Sequence, residues 1–282
     1  MGCDCHIHMV LDGENWRDAI ARHKNAPDEA FVRRTLGRYA RLGFTYLRDG
    51  GDRWGVGLLA KRIAPDYGIR YVSPGAPLCK AGHYGGFIGE KYADETEYTA
   101  LVEKQRAQGA DFVKLMISGI MDFDHFGVLS EPGMEPGEIR RVIRAAKAKG
   151  LSVMAHANGA ETVAAAAEAG ADTIEHGAYL NREALEAMRE NNVIWVPTLS
   201  AIGNLRGRGR FDERAVKQIL KSAMVNVALF AAMGGLLAPG TDAGAWAVPH
   251  GSLTEYALLR ECLGEGWERV LDRGTKELEA RF

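Results

Sequence analysis

His6 and His8 stand one residue apart in the opening segment MGCDCHIHMV. Side chains alternate faces along a strand, so this spacing puts both imidazoles on one side. Four more polar residues sit in or at the end of apolar runs: Lys114 in FVKLM, His156 in SVMAH, His176 in TIEH and Asp242 in LLAPGTD. Each has an ordinary explanation when taken alone. A histidine that ends a strand is commonly a hydrogen-bonded structural residue, a strand lysine commonly sits at an exposed edge, and an aspartate in GTDAG commonly caps a turn. Burying four imidazoles, an ammonium and a carboxylate together is costly unless they share a partner. Neutral imidazole nitrogen and carboxylate oxygen are good ligands for zinc and similar divalent ions. An ammonium offers only donors and is not a ligand. Deep burial lowers a lysine pKa and favours the free amine. A free amine can add CO₂ to give a carbamate, whose two anionic oxygens can bridge two cations. The pattern predicts a metal centre with Lys114 modified in this way.

Bringing six such side chains together needs a scaffold whose strand ends converge. The chain repeats one unit: a helical stretch ending in Gly or Asn, a short apolar run, and a polar residue that closes it. RLGFTYLRDGG, QGADFVKLMISG, AKGLSVMAHANG and EAGADTIEHG are examples. Gly after a helix supplies the left-handed cap that ends it. The runs are apolar throughout, as parallel strands buried on both faces are. Eight such strands start near residues 3, 44, 69, 111, 151, 172, 193 and 236. Eight βα units in 282 residues predict a (β/α)₈ TIM barrel spanning residues 1–282 as a single domain. Long connections follow the first, third and seventh strands, on the side where such barrels build active sites.

Composition narrows the partners. Lys and Arg number 35 against 37 Asp and Glu, a formal net charge of −2. That balance calls for neither nucleic acid nor a membrane surface, and points to a small-molecule substrate. The sequence shows no apolar run of about 18 residues and no signal-peptide pattern, so a cytoplasmic protein is expected. The four cysteines are too scattered for a disulfide framework. Cys3 and Cys5 have the opposite parity to His6 and His8, and both thiols are expected to pack outward.

The segments HIH, VKLM, AHANG, EHG and GTDAG, in this order, resemble the amidohydrolase superfamily. Longer stretches, including GLSVMAHANGAETVAAAAEAGADTIEHG and VIWVPTL, resemble its imidazolonepropionase-like and Xaa-Pro dipeptidase-like metal hydrolases. The likeness covers most of residues 3–256. It implies two divalent ions, zinc by preference. His6, His8 and Asp242 would hold one, His156 and His176 the other, and carboxylated Lys114 would bridge them. It also implies that Asp242 shuttles the proton during attack by a bridging hydroxide, and that His176 helps orient the substrate carbonyl. The expected reaction is hydrolysis of an amide or other C–N bond in a small substrate such as a dipeptide or N-acyl amino acid. The same site would also suit a lactone, ester or phosphoester hydrolase, a deaminase or an isomerase, and a non-catalytic metal- or ligand-binding barrel is the alternative outside enzymology. Relatives carry a small β-sandwich, which is expected to be absent here. A homo-oligomer stays open.

Substrate contacts are expected from the loops after the strands. CKAGHYGGF offers Lys80, His83 and Tyr84, with His83 in the place of the histidine of a Gly-Gly-His-Gly-like loop in relatives. MDFDHFG offers His125, GAYL offers Tyr179, and AWAVPHG offers Trp246 and His250. Arg48 is expected to be buried and paired with Asp49 or another acid. In AIGNLRGRGRFDER, Arg206, Arg208 and Arg210 form either a solvated loop or a lid that clamps a substrate carboxylate.

Overall fold

The structure, a computed structural model, describes residues 2–282. Ten strands form in chain order: β1 Cys3–Ile7, β2 Tyr46–Asp49, β3 Arg70–Val72, β4 Leu78–Lys80, β5 Glu90–Tyr92, β6 Val113–Met116, β7 Val153–Ala157, β8 Thr173–His176, β9 Ile194–Val196 and β10 Leu236–Leu237. Helices lie between successive strands except from β3 to β5, where loops alone connect them, and every strand pairing is parallel. Three strands run β1-β2-β3, and seven run β10-β9-β8-β7-β6-β4-β5. Backbone hydrogen bonds stitch the two sheets at both seams. Cys5 N donates to Pro239 O and Asp242 N to His6 O, both at 2.8 Å, and Asp111 N donates to Ser73 O at 2.9 Å. The result is the predicted α/β barrel, in which eight strand positions surround one interior.

Two strands were not foreseen. The third unit stops after Val72 at Ser73-Pro74-Gly75-Ala76-Pro77, since proline has no N–H for the ladder. The chain resumes as β4, which pairs with β6, and β5 adds to the outer edge of β4.

The interior is filled from below by Tyr46, Phe112, Met154, Ile194 and Leu236, together with Leu278 and Phe282 of the C-terminal helix Trp267–Arg281 and its final residue. Gly274 lets this helix lie directly on β10, because a Cβ there would collide with the Leu237 carbonyl. Gly274→Ala is expected to lift the helix and lower stability by about 1–3 kcal/mol, the usual cost of overpacking, read as a fall in the thermal midpoint.

Two expectations need correction. The helix Glu213–Ala232 is long and apolar enough to cross a membrane by length and composition, although Lys217 and Lys221 interrupt it. One of its faces is buried in the protein, through Val216, Ile219, Leu220, Val227 and Phe230. Cys5 does not pack outward. The β1 register shifts between Asp4 and Ile7, so the alternation changes phase there. Cys5 joins the barrel-interior cluster with Tyr46 and Met154, while Ile7 and Met9 pack outward under the helices.

Candidate metal centre

Alternation along the buried strands points Arg48, Lys114, His156 and Glu175 into the barrel above the apolar plug. Their outward neighbours Leu47, Leu115, Ala155 and Ile174 pack under the helices. His176 follows the inward Glu175 and would face outward on a regular strand. Its φ is +67°, and that left-handed turn brings it to the mouth. Asp242 has φ +58° and Thr198 has φ +49°. Each such residue costs about 1–2 kcal/mol, and strain of this kind concentrates at functional sites.

His6 Nε2 lies 3.4 Å from His8 Nε2 and 3.6 Å from Asp242 Oδ1, and His8 Nε2 lies 3.3 Å from the same oxygen. One donor atom from each of these three residues is within 4.8 Å of the other two. The His176 ring sits 5.1 Å from His6 and 4.6 Å from His156, centroid to centroid. The six predicted side chains therefore share one end of the barrel.

Neighbouring groups fix which nitrogen faces inward. His6 Nδ1 donates to Glu175 Oε2 at 2.6 Å, which leaves the Nε2 lone pair toward His8 and Asp242. His156 Nε2 donates to Gly119 O at 3.3 Å. His176 Nδ1 bonds the Thr198 hydroxyl at 2.7 Å. Gly50 makes room for the His8 ring, with which a Cβ there would collide, and a Cβ at Gly240 would meet Val196 and the Cβ of His6. Burial, reinforced by positive neighbours, holds His6 and His176 well below the usual imidazole range and His156 down at about 3, so all three are neutral. Burial also lowers Lys114 to about 8. Its Nζ is buried without a hydrogen-bond partner, as is His8 Nδ1. Neutral imidazoles, a carboxylate and an orphaned amine form a donor set that fits divalent ions.

The supporting residues were missed by sequence reading. Glu175 is fully buried and accepts from Arg48 Nη2 at 2.8 Å as well as from His6. Arg48 thus pairs with Glu175, whereas Asp49 accepts from Met9 N and the Ser73 hydroxyl. Asp4 accepts from Thr241 N and the Thr241 hydroxyl, next to Asp242. The available signal was an acidic residue inside a buried strand, directly before a candidate ligand at Glu175 and two residues before one at Asp4. Carboxylates behind a ligating histidine orient it and raise its basicity. Glu175→Gln is expected to weaken metal retention about 10–100-fold, measured by chelator competition.

A family model described as the amidohydrolase family matches residues 2–254. The chain belongs to the amidohydrolase family. It is 28% identical to ochratoxinase of Aspergillus niger over 230 residues, covering 71% of this chain and 47% of that one. An uncharacterized protein of Mycobacterium bovis is 27% identical over 269 residues, covering 93% and 68%. The chain thus spans about half the length of the ochratoxinases. A crystal structure of a Xaa-Pro dipeptidase with bound methionine superposes with a TM-score of 0.80 at 22% identity, over 99% of this chain and 75% of that one. The A. niger ochratoxinase structure gives 0.78 at 22%, over 95% and 68%. Both share the fold.

A pocket of about 590 Å³ opens over this cluster and includes His8, Lys114, His156, His176 and Asp242. Of the predicted substrate contacts, Tyr84 and Trp246 line it, and so does Arg210. The others point elsewhere. His83 lies outside the lining, with Nδ1 3.6 Å from Glu131 Oε1. His125 is exposed and donates to Asp122 Oδ2 at 2.9 Å. Tyr179 packs edge-on against Phe126, and Lys80 pairs with Glu138 at 2.7 Å. His250 is buried beneath the loop, bonded to the Tyr39 hydroxyl and Leu11 O, and burial lowers it to about 4. Arg206, expected as a substrate contact, is exposed outside the lining, and so is Arg208, in keeping with the solvated-loop alternative for that part of the segment. The glycine-interrupted loop curls so that their guanidinium groups donate to Gly203 O and Asn204 O.

Proposed function

We propose that this protein is a hydrolase of amide bonds in small substrates, dependent on two divalent metal ions. The observation that carries the proposal is Lys114: a buried amine, lowered to about 8 and without a partner, amid histidines held neutral. His6, His8 and Asp242 would hold one ion, His156 and His176 the other, and carboxylated Lys114 would lie between them. The chemistry supplied by such a pair is acidification of a water and polarisation of a carbonyl.

The chain's own groups handle position and protons. Asp242 accepts the proton given up by the attacking water and delivers it to the leaving nitrogen. The C–N bond breaks, and an acid and an amine result. His176, its ring tied to Thr198, holds its place beside the carbonyl. The apolar pocket wall keeps bulk water away from the reacting bond. Family membership and the fold shared with a Xaa-Pro dipeptidase support an amide over the other bonds this site would suit.

The test is hydrolysis of a panel of dipeptides and N-acyl amino acids by zinc-loaded protein, beside lactones and phosphoesters. Amide cleavage that disappears on chelation and returns with metal supports the reading. Preferential turnover of lactones or phosphoesters contradicts it.

A further inference from the structure

Thr198 and Asp242 both hold left-handed backbone angles, and both bear on the metal-ligating end, Asp242 directly and Thr198 through its bond to His176. Strain of this kind persists only where the surroundings fix it. One buried side chain ties the two together. Ser200 lies two positions beyond Thr198, and its hydroxyl donates to Thr241 O, the carbonyl directly before Asp242, at 2.6 Å. Asp4 holds Thr241 from the other side, accepting from its N–H and its hydroxyl. The segments that follow β9 and β10 are thus joined through Ser200.

Ser200 is itself anchored from a neighbouring helix. The short helix Leu199–Gly203 starts from the left-handed Thr198 and has no side-chain cap of its own. The first amides of a helix find no partner within it. Glu255, on the helix Thr254–Leu263, supplies one: its Oε2 accepts from Ser200 N at 2.7 Å. Glu255 is fully buried, and its Oε1 has no hydrogen-bond partner. A buried acid with half of its oxygen atoms unused is costly, and a position that served packing alone would favour an apolar residue. Burial raises Glu255 to about 8, so it is neutral at neutral pH and a glutamine offers the same acceptor.

Resting on the metal-dependent amide-hydrolase reading, we infer that Glu255 is a positioning residue. Acting through Ser200, it holds Thr198 and Asp242 in the backbone conformations that aim His176 and the Asp242 carboxylate at the metal-ligating end.

The test reads the visible absorption of cobalt-loaded protein, which reports the geometry around the metal, beside kcat and KM for a cleaved amide. Glu255→Leu removes the acceptor at similar volume. Its cobalt bands should shift, and kcat should fall about tenfold or more while KM changes by less than about threefold. Glu255→Gln should bring the bands and kcat back to those of the unaltered protein. Ser200→Ala cuts the tie to Thr241 alone and should move both readouts in the same direction as leucine, so it carries the test if the leucine variant fails to fold. Leu258→Ala is the control, because Leu258 packs the same helix against Gly203 without touching the hydrogen bonds. It should lower the thermal midpoint and leave the bands and kcat in place. Unchanged bands and kcat in Glu255→Leu, or in Ser200→Ala where that variant stands in for it, overturn the assignment. So does a glutamine variant no better than leucine, and so does a Leu258→Ala protein that matches Glu255→Leu in both readouts, since the residue then only holds a helix in place. Cobalt bands that respond as expected without cleavage of any amide would sink the hydrolase reading and leave this one standing. A protein that takes up no cobalt would sink both.

Discussion

Asp242→Asn is expected to lower kcat by about 10²–10⁴, the usual contribution of a positioned acid–base group. In the proposed reaction one group would take the proton from water and return it to nitrogen, so its loss would affect both halves. The substitution keeps the shape of the side chain, and the backbone anchors around it are independent of the carboxylate. Asp242 N donates to His6 O, and Thr241 is held by Asp4. The thermal midpoint should therefore change little while turnover collapses, with kcat falling more than KM changes. Steady-state kinetics on metal-replete protein check this, and turnover close to that of the unaltered enzyme removes Asp242 from the proton path.

The second large effect is expected at Lys114. Lys114→Ala removes the amine on which the carbamate would form, and should cost at least one metal per chain and most of the activity. The alanine also relieves an unpartnered buried polar atom, so the fold should survive. Added short-chain carboxylic acids can place two oxygens in the vacated volume, and partial recovery of activity with them is expected. A Lys114→Ala protein that holds two ions tightly would show that nothing on this side chain bridges them.

Much of the scaffold was legible because its signals are local. The apolar runs ended by Gly caps gave the eight strand positions, and alternation put Lys114 and His156 inside. Alternation failed wherever the backbone departs from a regular strand. The register shift in β1 turned Cys5 inward, and the positive φ at His176 turned a ligand candidate against its phase. Glu175 was passed over because its partners, Arg48 and His6, lie 127 and 169 residues away in the chain. The loop residues were the least legible. Whether an arginine faces the pocket or its own loop depends on how the glycines between Arg206 and Arg210 let the chain curl, and neither composition nor spacing encodes that.

Metal content per chain tests the central claim most directly. Protein stripped by chelator, reloaded with zinc and freed of excess should be weighed for metal by elemental analysis, alongside Lys114→Ala. The account predicts two ions per chain in the unaltered protein and at most one in the variant. A chain that retains no zinc after reloading, or retains the same number with and without Lys114, contradicts it.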